Sequence, residues 1–158
     1  MKITVICVGK LKEDYLKSAI SEYSKRLSRF ADFEIIEVPD QKIPDNAGEK
    51  IESQILTKEG ETILSKIKNN SFVIAMCVEG KLISSEELAS EIKDISMTHS
   101  NITFIIGGSL GLSEEVKKRA DKRISFGKIT LPHQLMRVVL SEQIYRAFKI
   151  NSNEAYHK

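Results

Sequence analysis

The sequence predicts an α/β protein in which a mostly parallel sheet is covered by helices on both faces. Five short apolar runs alternate with stretches in which apolar residues recur every three or four positions, as on one face of a helix. Strands that alternate with helices form parallel sheets. The runs lack regular polar positions, which is typical of strands buried on both faces. The 158 residues hold no repeat, low-complexity tract or linker, so we expect one domain over residues 1–158.

The first half of the chain contains two predicted strands and two predicted helices. The strand 3–8 ends at a glycine, and apolar residues spaced by four over 15–27 predict the first helix. The strand 33–38 leads into a loop at 39–48 that is rich in proline and aspartate and is long for a compact domain. Four isoleucines on one face then predict a helix over 51–67, which a central glycine is expected to weaken.

The second half contains three predicted strands, which are the apolar runs at 72–78, 102–106 and 123–126. Ser84 and Glu87 form a capping box in front of the helix that separates the first two of these strands. Ser113 is expected to cap a short helix ahead of the third strand. Pro132 suits the first turn of a helix, so we predict that the last helix runs from His133 to about residue 150.

Composition and charge exclude several classes of protein. The net charge of +2 gives a single chain little attraction for isolated nucleic acid unless its positive charges are concentrated on one face. No apolar run is long enough to cross a membrane and none resembles a signal peptide, so we expect a cytoplasmic protein without membrane contact. Cys7 and Cys77 lie in apolar runs away from histidine pairs, so we expect buried thiols and no metal site.

Glycine-containing segments follow three of the predicted strands, at 78–81 (VEGK), 106–111 (IGGSLG) and 126–134 (FGKITLPHQ). Ligands of parallel sheets bind at the carboxyl ends of strands, where glycine lets the backbone approach a cofactor. None of these segments matches the dinucleotide fingerprint G-x-G-x-x-G or the phosphate loop that ends in G-K-[ST]. A pair of glycines after a strand is by itself more often a tight turn than a binding site, so the residues alone leave both interpretations open.

Three segments of the second half carry a resemblance to a known family. IGGSLG, FGKITLPHQLMRVVLSEQIYRAFKI and the terminal EAYHK closely resemble the ribosomal RNA large-subunit methyltransferase H family, and the similarity extends from MKITVICVGKLKE to Lys158. The resemblance implies a SPOUT-type fold with a C-terminal trefoil knot, binding of S-adenosylmethionine, and action as a homodimer. It also implies methylation of N3 of a pseudouridine in 23S rRNA on the assembled ribosome.

The resemblance further implies which residues hold the cofactor. Gly107 lies where the family's backbone meets S-adenosylmethionine, so a side chain there is expected to occupy cofactor space, and Met76 lies at the first contacting position. The loop that wraps the cofactor in the family consists here of Phe126, Gly127, Lys128, Ile129, Thr130 and Leu131. Apolar side chains such as Met76 and Ile129 suit the faces of an adenine ring. Cys77 replaces an acidic residue of the family, and Glu79 is a candidate to supply the missing carboxylate.

Four residues are candidates for catalysis. Removal of the N3 proton calls for a base, and we favour His157, in a tail that can close over the substrate, over His133. Tyr156 is expected to stack on or hydrogen-bond to the target nucleobase, and Arg137 to bind phosphate or neutralise charge. Plainer interpretations stay open, since tails fray, His133 suits a helix start, and Arg137 suits a surface salt bridge to Glu142 or another acid.

Two further segments are candidate contact surfaces. The basic run KKRADKR at 117–123 is either a solvated helix face or a contact for RNA phosphates. The apolar stripe of the last helix is wider than one sheet face needs, so we expect part of it to form a dimer interface. The members of this stripe are Leu135, Val138, Val139, Ile144 and Phe148.

Two other functions stay open on the sequence. One is a SPOUT methyltransferase that acts on tRNA or on another rRNA position, and the other is a non-enzymatic α/β module that binds nucleotides. The Pro132-His133 pair and the AYHK terminus favour the ribosomal family over the tRNA alternative.

Overall fold

The computed structural model describes residues 1–158 and contains five strands and five helices. The strands are β1 (Lys2–Val8), β2 (Asp32–Val38), β3 (Phe72–Leu82), β4 (Asn101–Ile106) and β5 (Lys122–Ser125). The helices are α1 (Asp14–Leu27), α2 (Glu49–Lys66), α3 (Ser85–Ser96), α4 (Glu114–Arg119) and α5 (His133–Asn151). Each element lies where the sequence predicts one. None of the helices combines the length and the apolar character that a membrane span requires.

The five strands form a single parallel sheet in the order β2-β1-β4-β3-β5. Val5 of β1, for example, lies between Ile35 of β2 and Phe104 of β4. Because every strand pair is parallel, all five carboxyl ends lie at the same edge of the sheet. This arrangement confirms the predicted fold class.

Helices cover both faces of the sheet. On one face α5 packs between α1 and α3, and its residues Leu140 and Ile144 join a core of 17 buried residues that includes Phe104. On the other face α2 and α4 contribute Ile63 and Val116 to a core of nine buried residues. The two cores meet at the strands. The central strands β1 and β4 are almost fully buried, as their continuous apolar runs predict, whereas β2, β5 and the second half of β3 are partly exposed.

β3 is longer than the sequence predicts because it continues past a bulge and pairs with β5 a second time. Met76 pairs with Ile124, and after a bulge the strand pairs with Ile124 again through Lys81. A Cβ at Gly80 would lie 2.7 Å from the backbone of Ile124, so the bulge can approach β5 this closely only at a residue that lacks a side chain. The sequence pattern ends the strand at residue 78 because the residues of the bulge are polar.

The predicted helix starts are confirmed by their caps. Ser84 Oγ accepts the N–H of Glu87 at 3.1 Å, and the Glu87 carboxylate accepts the N–H of Ser84 at 2.7 Å. Ser113 Oγ accepts the N–H of Val116 at 3.3 Å at the start of α4. α2 is continuous through Gly60, and a Cβ at this glycine would lie 2.3 Å from Ser113 Oγ. That glycine allows α2 to pack closely on the start of α4.

The connection from β5 to α5 returns the chain from the edge of the sheet to its centre. β5 is an edge strand, whereas α5 lies between α1 and α3 and packs on the central strand β4. Residues 126–132 therefore run beside the carboxyl ends of β3 and β4, where ligands of parallel sheets bind.

Candidate active site

A pocket of about 540 Å³ opens at the carboxyl ends of β3, β4 and β5. The three glycine-containing segments predicted from the sequence meet here, together with the first turn of α5. The pocket wall includes these residues expected to hold a cofactor: Met76, Gly107, Phe126, Gly127, Ile129, Thr130 and Leu131. Lys128 is the exception, because it is exposed and does not line the pocket.

The lining suits a ligand that carries a flat apolar ring. Met76, Ile106 and Ile124 form the inner wall, and Ile129, which is 82% exposed, lies at the mouth. Gly127 has φ +142, and a Cβ there would meet no atom within 4 Å, so its backbone borders open space. Apolar walls beside accessible backbone groups are the arrangement that an adenine-containing cofactor needs.

The turn after β4 is built from glycines that pack against their own chain. A Cβ at Gly107 would lie 2.4 Å from the carbonyl oxygen of Gly111, and one at Gly108 would lie 3.0 Å from Val8 Cγ1. Gly111 has φ +82, and its N–H donates to the carbonyl of Gly108 at 3.0 Å. The expectation that a side chain at Gly107 would occupy cofactor space is therefore wrong, because it would meet the turn itself first.

An ion pair and a thiol lie at one side of the pocket. Glu79 Oε1 is 2.5 Å from Lys117 Nζ, and this hydrogen bond lowers the pKa of Glu79, so the carboxylate is ionised but already paired.

Cys77 is only half-buried, which corrects the expectation of a buried thiol, and partial burial raises its pKa. Cys7 is buried as predicted, and burial raises its pKa to about 12. Both thiols are therefore protonated at neutral pH.

The first turn of α5 contributes His133 and Met136 to the pocket wall. The N–H of Met136 donates to the carbonyl of Pro132 at 2.9 Å, so the proline begins the helix as predicted. His133 is half-buried and faces the same space as the residues expected to hold a cofactor. Of the two candidate bases, His133 is the one that lines the pocket of its own chain.

Arg137 is fully buried and lies beneath the first turn of α5 instead of facing the pocket. Its Nη1 donates to Glu37 Oε2 at 2.7 Å, and its Nη2 donates to the carbonyls of Val8 at 2.9 Å and Gly9 at 2.8 Å. Of the alternative of a surface salt bridge to Glu142 or another acid, the ion pair with another acid is present, but the partner is Glu37 and the guanidinium is buried instead of lying at the surface. The buried guanidinium offers no exposed surface to a phosphate within this chain. Its partners are 100 or more positions away in sequence, so no local pattern in α5 indicates the burial.

The tail after α5 folds back onto the helix and does not fray. Tyr156 donates its O–H to Glu142 Oε1 at 3.1 Å, its ring contacts Tyr145 edge-on with centroids 5.0 Å apart, and the Arg146 guanidinium lies 4.7 Å from its ring centroid. Burial, together with the hydrogen bond to Glu142, raises the pKa of Tyr156 to about 12. The hydroxyl therefore keeps its proton at neutral pH and acts as a donor.

His157 lies between a donor and an acceptor. Its Nδ1 is 3.0 Å from Arg146 Nη1, and its Nε2 is 2.8 Å from Glu86 Oε1. Because a guanidinium can only donate, Nδ1 accepts and Nε2 carries the proton that Glu86 accepts. We call Glu86, Glu142, Arg146, Tyr156 and His157 the tail cluster. The sequence analysis missed Arg146 as a partner of the tail; its i,i+4 spacing from Glu142 was the available signal.

Within one chain the tail cluster and the pocket are separate. No tail residue lines the pocket, and the helical rise from His133 to Glu142 is about 13 Å. The four candidate catalytic residues therefore fall into three places: His133 in the pocket wall, Arg137 beneath it, and Tyr156 with His157 in the tail cluster.

The basic run at 117–123 is largely neutralised. Its ion pairs are Lys117 with Glu79, Arg119 with Asp121, and Lys122 with Glu91. This pairing favours the solvated helix face over a dedicated phosphate contact. No group of His, Cys, Asp or Glu side chains is arranged to hold a metal ion.

Comparisons with known proteins agree with this site. The family model described as "Predicted SPOUT methyltransferase" matches residues 1–157. The ribosomal RNA large subunit methyltransferase H 1 of Clostridium perfringens (strain SM101 / Type A) is 64% identical over 159 aligned positions, which cover 100% of both chains. The ribosomal RNA large subunit methyltransferase H of Lactobacillus acidophilus is 58% identical with the same coverage.

A solved structure supports the fold. The probable methylase family protein from Haemophilus influenzae Rd KW20 superimposes with a TM-score of 0.55 at 15% identity, covering 99% of this chain and 70% of that one. The SPOUT family implies a C-terminal trefoil knot, and its methyltransferases of this kind use S-adenosylmethionine as methyl donor. With matches over the full length at this identity, the chain belongs to the SPOUT methyltransferase family, among the ribosomal RNA large subunit methyltransferase H proteins.

Proposed function

We propose that this protein methylates N3 of a pseudouridine in 23S rRNA on the assembled ribosome, and that it acts as a homodimer in the cytoplasm. The observation that carries the proposal is the apolar pocket between the carboxyl ends of β3, β4 and β5, in a chain that is 64% identical over its length to a large subunit methyltransferase H. The chain's near-neutral charge supports a structured ribosomal surface as substrate over free RNA.

The pocket residues fit S-adenosylmethionine. Met76, Ile129 and Leu131 would flank the adenine, and the backbone around Gly107 and Gly127 would meet its polar edge. The bound cofactor supplies an electrophilic methyl group on a sulfonium. The protein's own task is to hold the target nitrogen in line with that methyl group and to exclude water from the pocket.

The target nitrogen carries a proton that must leave, which calls for a base within hydrogen-bond reach. We favour His157, with His133 as the alternative base. In the tail cluster the lone pair of His157 faces Arg146, so the base has to exchange this contact for the substrate. Tyr156 keeps its proton and is suited to donate a hydrogen bond to a carbonyl of the nucleobase or to stack on it.

A homodimer would resolve the separation between the pocket and the tail. Three large exposed apolar side chains line the pocket, and two more lie at the end of β3 and the start of α5, whose neighbouring residues line it. They are Val78, Ile129 and Leu131 in the lining, and Leu82 and Leu135 beside it. Exposed apolar residues grouped in this way are typical of an interface. We propose that this rim packs against a second copy and that the tail cluster of one protomer serves the pocket of its partner.

The function is tested by transfer of labelled methyl groups from S-adenosylmethionine to assembled 70S ribosomes, free 23S rRNA and bulk tRNA. We expect incorporation into ribosomes to be much faster than into free 23S rRNA or tRNA, and digestion of the ribosomal product should yield N3-methylpseudouridine. Preferential labelling of tRNA would favour the other SPOUT substrate class. Binding of the cofactor without any transfer would favour a non-enzymatic module.

The shared site is tested by mixing two inactive variants. His157→Ala removes the proposed base, and Met76→Trp fills the adenine space of an otherwise intact chain. If the tail serves the partner's pocket, mixed dimers regain about a quarter of wild-type transfer, since half of the dimers are mixed and each holds one complete site. If the tail serves its own pocket, the mixture stays inactive.

A further inference from the structure

A buried arginine holds the start of α5 to the carboxyl ends of β1 and β2. We propose that Arg137, together with Glu37, is a positioning residue for methyl transfer, which fixes the outer wall of the cofactor pocket without touching cofactor or substrate. The proposal rests on the proposed function for the reaction it serves. It assigns no role to Arg137 at a phosphate.

The arginine connects three elements at the carboxyl edge of the sheet. Its guanidinium, on α5, donates to the carbonyls of Val8 and Gly9 at the end of β1 and to the carboxylate of Glu37 on β2. The side chain has no exposed surface, whereas that of Glu37 is 38% exposed. The guanidinium is therefore fully desolvated in this ion pair, whereas the carboxylate keeps part of its hydration.

The contact is not an efficient way to stabilise a fold. The buried Nε of Arg137 has no hydrogen-bond partner. Buried ion pairs are often no more stabilising than apolar residues of similar volume, and an unpaired buried donor adds a further cost. A guanidinium is, however, a rigid fork whose donors hold their partners in one geometry. This combination indicates that the residue fixes a position more than it adds stability.

Two further contacts hold the loop at 9–13 against β2 and the first turn of α5. Glu37 Oε2 also accepts the N–H of Leu11 at 2.8 Å, and the Gln134 side chain accepts the N–H of Lys12 at 3.2 Å. The backbone of the loop at 9–13 is thus held to β2 by the Glu37 side chain and to the start of α5 by the side chains of Gln134 and Arg137. The opposite side of this turn carries His133 and Met136 into the pocket wall.

The pocket wall itself depends on this anchorage. Gly127 is held by hydrogen bonds with Ser125, but residues 128–131 make no hydrogen bond of their own. Their placement is therefore set by β5 at one end and by the first turn of α5 at the other. Ile129 and Leu131, which would flank the adenine, lie in this unsupported stretch. Loss of the Arg137 hydrogen bonds would free the end of residues 128–131 that joins α5.

The test uses the full-length protein and three substitutions. Arg137→Met keeps the volume of the aliphatic stem but removes the donors, Arg137→Lys keeps the charge without the fork, and Glu37→Gln keeps an acceptor without the charge. Arg26→Met is the matched control, because Arg26 forms an exposed ion pair with Glu22 on α1. The measurements are calorimetric affinity for S-adenosylmethionine, amide hydrogen exchange of the ligand-free protein, thermal midpoint, and kcat and KM for ribosomes.

We expect Arg137→Met to weaken cofactor affinity by at least about tenfold and to speed amide exchange at residues 128–136, with the KM for ribosomes within about twofold of wild type. Glu37→Gln and Arg137→Lys should show smaller changes in the same two quantities, and Arg26→Met none. If Arg137→Met does not fold, the cofactor affinity and the amide exchange of Glu37→Gln test the positioning role instead.

Two outcomes would overturn the proposal. A folded Arg137→Met or Glu37→Gln with unchanged cofactor affinity and unchanged exchange at 128–136 would leave Arg137 a purely structural residue. A raised KM for ribosomes at unchanged cofactor affinity would make it a substrate contact. Because affinity and exchange are measured without RNA, they are independent of whether the wild-type protein methylates ribosomes, so failure of the proposed function is seen separately.

Discussion

At position 107 the turn after β4 leaves no room for a β-carbon. Gly107→Ala should weaken affinity for S-adenosylmethionine by at least about tenfold, because the new methyl group would displace the Gly111 carbonyl and with it the backbone that borders the pocket. Calorimetry on the folded variant measures this. Gly48→Ala is the control, since a Cβ at that helix start meets nothing within 4 Å, and it should leave the affinity unchanged. Equal affinity in both variants would show that the turn does not shape the site.

Glu59 is a buried carboxylate beside the same turn. Its exposed fraction is 4%, it accepts the N–H of Gln41 at 3.1 Å, and burial raises its pKa. An acid whose folded pKa is raised stabilises the fold least at high pH, since stability is lost as the pH rises through that pKa. Glu59→Gln keeps the acceptor and removes the charge, so we expect it to raise the thermal midpoint at pH 7 by about 2–4 °C, the shift that about 1 kcal/mol produces at this size.

The gain from Glu59→Gln should shrink as the pH falls, because below the unfolded pKa the carboxyl is protonated in both states. Scanning calorimetry from pH 7 to pH 4 measures the trend. A midpoint that falls at pH 7, or a gain that is the same at every pH, would contradict the assignment of a buried charge at this position.

At the scale of elements, α5 connects the pocket to the tail cluster. Deleting residues 155–158 removes Tyr156 and His157 but no residue of the pocket wall. We therefore expect the truncated protein to bind S-adenosylmethionine within a few-fold of wild type and to transfer methyl groups to ribosomes at least about a hundredfold more slowly, the loss expected for a positioned base. Calorimetry and the labelled-methyl assay measure the two quantities. Transfer at the full-length rate would make His133 the leading base.

The elements themselves were readable from the sequence, but their long-range contacts were not. Apolar runs and caps predict every strand and helix, and the glycine segments after three strands predict where the pocket lies. The close approach of β3 to β5 at Gly80 and the burial of Arg137 depend on partners distant in sequence, so no local sequence pattern indicates them. The separation of Tyr156 from the pocket likewise depends on how the tail folds back. The resemblance to a family named the candidate catalytic residues, but only the structure shows that they lie in three separate places, namely the pocket wall, the buried layer beneath it and the tail cluster.

At the scale of the whole molecule, the apolar rim around the pocket mouth predicts self-association. Leu135 of this rim is exposed, whereas Ile144, also expected at the interface, is fully buried in the core. We expect light scattering at micromolar concentration to give about twice the 17.8 kDa of one chain, and Leu135→Glu to give a monomer. Met97→Glu, at an exposed apolar residue where α3 ends far from the pocket, is the control and should stay dimeric. A monomeric wild-type protein would contradict the proposed shared site.

The place of α5 in the fold also determines when a newly made chain can work. Synthesis proceeds from the amino terminus, so α5 is the last helix to emerge, yet it covers the middle of one sheet face and closes the pocket. Until translation ends, Phe104 and its neighbours lack their covering helix, and the cofactor has only part of its binding wall. Under the proposed function, an unfinished chain lacks the complete pocket that methyl transfer to the ribosome requires. A chain that stops before α5 exposes a broad apolar surface, which chaperones and proteases recognise.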